Sequence, residues 1–173
     1  MAKRLPSGWA DARRKGSPVP KVLVVDNHAI FRKRVVDVVA ESIPGASVDE
    51  AVDGREALAK VKQARYALVL LDISTPAREG LDVLGEIRSH HPELPVLILS
   101  MHPEEEYAVL AFRAGASGFV RKARAAEELA GAIRRVMAGG QYKRASLNGP
   151  TGKERIQQSA TIVPNPWTKK EGI

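Results

Sequence analysis

The sequence predicts an α/β fold, a parallel five-stranded sheet with helices on both faces. Three observations carry this. Short, nearly continuous runs of Val, Leu and Ile recur between residues 21 and 140; segments of helical period separate them; and the alternation of the two is unbroken. A strand covered on both faces is apolar throughout, and joining it to a parallel neighbour takes a crossover long enough to hold a helix.

Taken in order, Val22–Val25 is the first strand. In the segment Ile30–Ile43 after it, Phe31, Val35, Val38, Val39 and Ile43 recur at steps of three and four, the stripe of an amphipathic helix. Ser47–Val52 is a weaker strand, because polar residues interrupt it. Asp53 offers an N-cap to a helix over Asp53–Ala64 that carries Ala57, Leu58 and Val61 on one side. Ala67–Leu71 is the third strand; Gly80 precedes a helix over Leu81–Ser89 with Leu84 and Ile87 on its inner side. Val96–Leu99 is the fourth strand, followed by a helix over Glu104–Ala114 that opens on three acids and stops at Gly115. Gly118–Val120 is the fifth strand, and Ala125–Ala138 is the last helix, with Leu129, Ile133, Val136 and Met137 inward and Gly139–Gly140 as its stop.

Composition narrows the function. The chain of 173 residues has no cysteine, which excludes disulfides, thiolate zinc sites and a thiol nucleophile and fits a reducing cytoplasm. No apolar run approaches the roughly 20 residues of a membrane span, so no membrane is expected. The net charge of +7 belongs to the ends. Residues 1–20 hold five Lys/Arg against one acid, and residues 141–173 hold six against two, whereas the middle is close to neutral. Residues 1–20, with Gly8, Gly16, Pro18 and Pro20, read as a basic flexible leader, and 143–173 as a basic, disordered tail. Such ends are either solvated or in weak contact with a polyanion. Trp9 and Trp167 lie in them as candidate anchors for a partner.

In an open α/β sheet, ligands bind outside the carboxyl ends of the strands. There the sequence sets Asp26 and Asn27 after the first strand, Asp72 after the third, Ser100 after the fourth and Lys122 after the fifth. Singly, each is an ordinary turn or cap residue. Together they suit phosphoryl chemistry: carboxylate and amide oxygens for Mg²⁺, a carboxylate nucleophile, and an ammonium and a hydroxyl for phosphoryl oxygens. His28 beside the acid is either a lining group or a half-exposed helix start. His90 and His91 read as solvent-facing, and Asp49, Glu50 and Asp53 as a surface charge run.

The stretches VLVVDNH, LVLLDISTPAREGLDVL, VLILSMHPEEEYAVLAFRAGASGFVRK and ELAGAIRRVMAGGQY resemble the receiver domain of two-component response regulators, the NarL/FixJ group above all, over residues 21–142. The resemblance implies a flavodoxin-like, doubly wound (βα)5 fold. It makes Asp72 the phosphoacceptor, supplied by a histidine kinase or phosphotransfer protein. It places Mg²⁺ on Asp26, Asn27, Asp72 and the backbone carbonyl of Ser74. Ser100 becomes the switch hydroxyl, Lys122 the phosphoryl partner and Phe119 the aromatic switch position. The switched surface would span Glu104–Ala138, and faces near the first and last helices would support a homodimer. Such a protein is a signalling module, not an enzyme, and its downstream partner is left unnamed.

Three departures qualify the resemblance. Asn27 stands where the family has a second acid, STPAREG replaces a Met-Pro-Gly-like loop, and residues 141–173 do not resemble the group's helix-turn-helix, so no DNA-binding domain is evident. The alternatives are therefore a phosphorylation-independent pseudo-receiver and a truncated transcriptional regulator. A haloacid dehalogenase-type phosphatase is disfavoured, because it requires an acid where this chain has Ser74.

Overall fold

In the computed structural model, which describes residues 18–74, 80–102 and 104–143, the predicted alternation is realised. The strands are β1 (Lys21–Val25), β2 (Ser47–Ala51), β3 (Leu68–Asp72), β4 (Val96–Ser100) and β5 (Gly118–Arg121). The helices are α1 (Ala29–Ser42), α2 (Gly54–Gln63), α3 (Gly80–His90), α4 (Glu104–Arg113) and α5 (Ala125–Met137). A single 3-10 turn, Lys122–Arg124, joins β5 to α5. Residues 1–17 of the leader with Trp9, the tail beyond Lys143 with Trp167, and most of the STPAREG loop lie outside the described residues.

All strand pairs are parallel, in the order β2-β1-β3-β4-β5. Alternate residues of each strand feed two separate cores. Leu23, Val25, Val69, Leu71, Val96 and Ile98 pack with α2, α3 and α4. Val22, Val24, Leu68, Leu70, Leu97 and Leu99 pack with α1 and α5 on the other face. Both faces being covered explains the unbroken apolar runs of β1, β3 and β4. β2, at an edge, buries only Ala51 completely, which explains its broken pattern.

The boundaries shift from expectation by a residue where side chains decide them. β3 and β4 each run one residue further, to Asp72 and Ser100, so both polar groups end a strand instead of following it. Asp53 and Ala64 cap α2 from outside it: the Asp53 carboxylate accepts from Glu56 N–H at 2.8 Å, while the Glu56 carboxylate accepts from Val52 N–H at 2.8 Å. This reciprocal arrangement satisfies two backbone donors at the helix start. It holds the Glu56 carboxyl below its ordinary range, chiefly through the Val52 N–H and then through Lys60.

The acidic run is more than a surface charge. Asp49 accepts from Tyr66 Oη at 2.6 Å and pairs with Lys21 at 2.8 Å, and Glu50 pairs with Arg32 at 2.6 Å. Arg88 is a further tie that the sequence did not announce. Its guanidinium donates to the carbonyls of Gly115 (2.6 Å), Pro92 and Leu94 (2.8 Å each) and to Ser117 Oγ (3.1 Å), joining the end of α3 to the turn before β5. Gly115 in that turn has φ +98°, open to glycine without strain. Burial pulls the Arg88 pKa down.

Two outcomes follow for stability. Asp53→Ala should lower unfolding free energy by about 0.5–2 kcal/mol in urea titrations, with little change in the denaturant slope. The Asp49 carboxyl is held below its ordinary value by Lys21 first and Tyr66 second. Its contribution, under about 1 kcal/mol for a pair this exposed, is thus complete above about pH 4 and fades as pH falls through the lower folded-state value. The stability gap between wild type and Asp49→Asn should close on acidification; a gap constant from neutral into acid would refute this.

Candidate phosphorylation site

Four polar side chains are buried among the described residues: Asp26, Asp72, Ser100 and Lys122. They are four of the five groups that the strand ends were expected to deliver; the fifth, Asn27, is exposed. The ladder explains how. The Asp26 N–H donates to the Ala51 carbonyl at 3.0 Å, prolonging the β1–β2 pairing by one residue and fixing Asp26 at the sheet edge. Asp72 pairs in register with Leu99, and Ser100 with Arg121, one residue before Lys122. Gly80 closes the site from below: a Cβ there would overlap Ile73 Cα and come 2.9 Å from the Asp72 carbonyl oxygen, so only glycine lets α3 start this close.

Lys122 Nζ lies 2.6 Å from Asp26 Oδ2 and 2.9 Å from Asp72 Oδ2. One ammonium thus serves two buried carboxylates. The face of Phe31 is 4.6 Å from Nζ, so its ring quadrupole adds to the hold on the cation. The sequence assigned Phe31 only to the core stripe of α1. Arg32, also unforeseen, donates from Nη1 to the Asp26 carbonyl at 2.6 Å while its Nε binds Glu50. It thereby pins the β1–α1 turn against β2.

The remaining oxygens are held from the backbone. Asp72 Oδ1 accepts from Ser74 N–H at 2.8 Å, and Asp26 Oδ1 from His28 N–H at 2.7 Å. Ser100 Oγ accepts from His102 N–H at 2.9 Å, with the His102 ring stacked on Tyr107 at 4.1 Å. Phe119 is 1% exposed and packs in the α2–α3–α4 core. Asn27 is exposed on the turn between Asp26 and α1. His28 caps α1 and belongs to the site as well. Its Nδ1 is 3.2 Å from Asp26 Oδ1 and 4.0 Å from Asp72 Oδ2.

The donor set fits a divalent cation. Ligand atoms of Asp26, His28 and Asp72 lie within 4.8 Å of one another, and Asp26 Oδ2 receives no well-directed hydrogen bond although the ammonium is near. A cleft of about 570 Å³ opens beside the cluster, lined by Ile30, Phe31, Arg34, Met101 and Lys122 among others. Ile30 and Met101, which line it, are 79% and 64% exposed.

The family model for the response regulator receiver domain matches residues 22–134. The chain belongs to the response regulator receiver family. Receiver domains of this family are the phosphoacceptors of two-component signalling. The transcriptional activator protein ExaE of Pseudomonas putida is 37% identical over 121 residues, 70% of this chain and 56% of that protein. The chain spans about half the length of several curated relatives that it matches. Among solved structures, a LuxR-family two-component response regulator from Aurantimonas sp. SI85-9A1 superposes with a TM-score of 0.68 at 29% identity, covering 83% of this chain and 99% of that one. TrrA of Thermotoga maritima, solved in complex with Mg²⁺-BeF, gives 0.60 at 29% identity over 68% of this receiver chain and 99% of its own.

Lys122→Met should destabilise the receiver by about 3–5 kcal/mol, because two buried carboxylates lose their shared counter-charge. Adding Asp26→Asn to that background should recover part of the loss in urea unfolding. A double variant no more stable than Lys122→Met would contradict this electrostatic account.

Proposed function

We propose that this receiver accepts a phosphoryl group on Asp72 from the phosphohistidine of a histidine kinase or phosphotransfer protein, and that the modification switches a protein-interaction surface. The observation that carries the reading is the coincidence of the buried polar side chains with the strand-end cluster. Burying two carboxylates and an ammonium costs several kcal/mol per ion unless they are well paired, so a merely structural sheet edge gains little from them.

The chemistry follows from the contacts. A carboxylate oxygen of Asp72 attacks phosphorus, the phosphorus–nitrogen bond of the donor breaks, and the donor imidazole leaves, taking up a proton. The Ser74 N–H on Asp72 Oδ1 orients the nucleophile, and Lys122, already 2.9 Å from Oδ2, would follow the charge onto the phosphoryl oxygens. A bound Mg²⁺ would supply neutralisation of those oxygens. Asp26, Asp72, Asn27 and the Ser74 carbonyl are the groups that we assign to hold it. Ser100 would exchange its hydrogen bond from His102 N–H for one to the phosphate. Phe119, in the core two residues before Arg121, the register partner of Ser100, would repack with it.

The added charge of about −1.5 to −2 biases two arrangements of α4, β5 and α5, and the free energy available is the differential affinity of those groups for the phosphate. We place the domain boundary after Tyr142, a reading supported by its pairing with β5. A homodimer through α1 and α5, and a cytoplasmic setting where the donor resides, complete the proposal. No helix among the described residues is long and apolar enough to cross a membrane.

Incubation with acetyl phosphate and Mg²⁺ should add one phosphate by intact mass, and Asp72→Ala should abolish it. An unmodified wild type, or a variant modified equally, would overturn the reading in favour of a phosphorylation-independent interaction domain. Asn27→Asp should tighten Mg²⁺ roughly tenfold, about 1.4 kcal/mol, by restoring a carboxylate; calorimetry showing no gain would remove position 27 from the metal shell.

A further inference from the structure

We infer that His28 is a nitrogen ligand of the divalent cation at this site, and that the cluster therefore favours borderline first-row ions such as Mn²⁺ and Co²⁺ over Mg²⁺. The inference rests on the metal site proposed above and concerns which atoms complete it. Three observations carry it.

The first is spacing. Ligands at about 2.1 Å in an octahedral shell lie about 3.0 Å apart when adjacent and about 4.2 Å apart when opposite. His28 Nδ1 is 3.2 Å from Asp26 Oδ1 and 4.0 Å from Asp72 Oδ2, values that span this range. The second is rigidity. His28 is the N-cap of α1, its N–H donates to Asp26 Oδ1 at 2.7 Å, and Arg32 holds the Asp26 carbonyl, so the backbone that carries the imidazole is anchored beside the carboxylates before any ion arrives. The third is burial: the Asp26 and Asp72 carboxylates that His28 faces are fully buried and share the Lys122 ammonium, which concentrates anionic oxygen beside the imidazole.

Chemistry then sets the preference. Asn27 offers a neutral amide where a second acid would favour a hard, highly charged ion. Mg²⁺ takes oxygen donors almost exclusively, whereas imidazole suits later divalent ions, whose affinity for mixed nitrogen and oxygen sites rises along the first row. Losing a carboxylate and gaining a ring nitrogen move the site in the same direction. The exposed edge of His28, 59% accessible, leaves the ring room to turn away from its Nδ1–Asp26 hydrogen bond and, in the tautomer protonated at Nε2, to offer Nδ1 to an ion.

The full chain loaded with Mn²⁺ should show nitrogen modulation in pulsed electron paramagnetic resonance, and His28→Phe should lose it. Calorimetry should give Co²⁺ binding about tenfold weaker in His28→Phe, with Mg²⁺ affinity changed less than about twofold. His90→Phe with His91→Phe serves as the control for adventitious imidazoles and should leave the signal intact. Mn²⁺ bound without nitrogen coupling, or equal loss of Co²⁺ and Mg²⁺, would overturn the role of His28 while sparing the metal site. Failure of wild type to bind any of the three ions would overturn both, and the acetyl phosphate experiment would then report separately on Asp72.

Discussion

The contact of one ammonium with two buried carboxylates is the constraint on which the rest of this receiver turns. Lys122 reaches Asp26 and Asp72 at once only because β1, β3 and β5 end at a common edge. β3 lies between β1 and β4, and β5 lies beyond β4, so the lysine must cross the end of β4 to meet them. Any slip in register would strand a charge in an apolar environment, where it costs several kcal/mol. The site thus polices the sheet that builds it. Under the proposed function, charge added at Asp72 would be answered by Lys122, the first residue of the 3-10 turn leading into α5.

Around this centre the supports differ in kind. Some are local and cheap in chain entropy, such as the N–H groups of His28 and Ser74 folding back on carboxylates two residues earlier. Others span the fold. Arg32 ties the turn after β1 to β2, and Arg88 ties α3 to the segment leading into β5. Both arginines spend their planar donor fork on several acceptors at once, which a lysine could not match.

Much of the fold was legible because buried parallel strands write themselves as apolar runs, and Val22–Val25 and Val96–Leu99 are plain examples. The acids, hydroxyl and ammonium were legible because topology collects strand ends. What stayed hidden depended on geometry across the chain. Nothing local marks Phe31 as the floor under Lys122 or Arg88 as a partner of Gly115. Asp49, Glu50 and Asp53 looked alike in sequence, yet alternation in β2 sends the first two to different partners and the third caps α2. His28 was left open between two readings because its proximity to Asp72, distant in sequence, is set by the β1–β3 pairing.

The two edges of the sheet end differently. On the β5 side, Gly118 pairs with Tyr142, whose N–H and carbonyl bond Ser117 and Phe119 at 3.0 and 3.3 Å. At Gly118 a Cβ would lie 2.7 Å from the Leu97 side chain and 3.0 Å from Tyr142 Cβ, so glycine permits the approach. On the β2 side the guard is charge, with Asp49 and Glu50 each held by a cation. A foreign strand seeking to extend the sheet would meet a backbone already paired at one edge and paired ions at the other. Edge-to-edge zipping between crowded copies of the chain is thereby disfavoured.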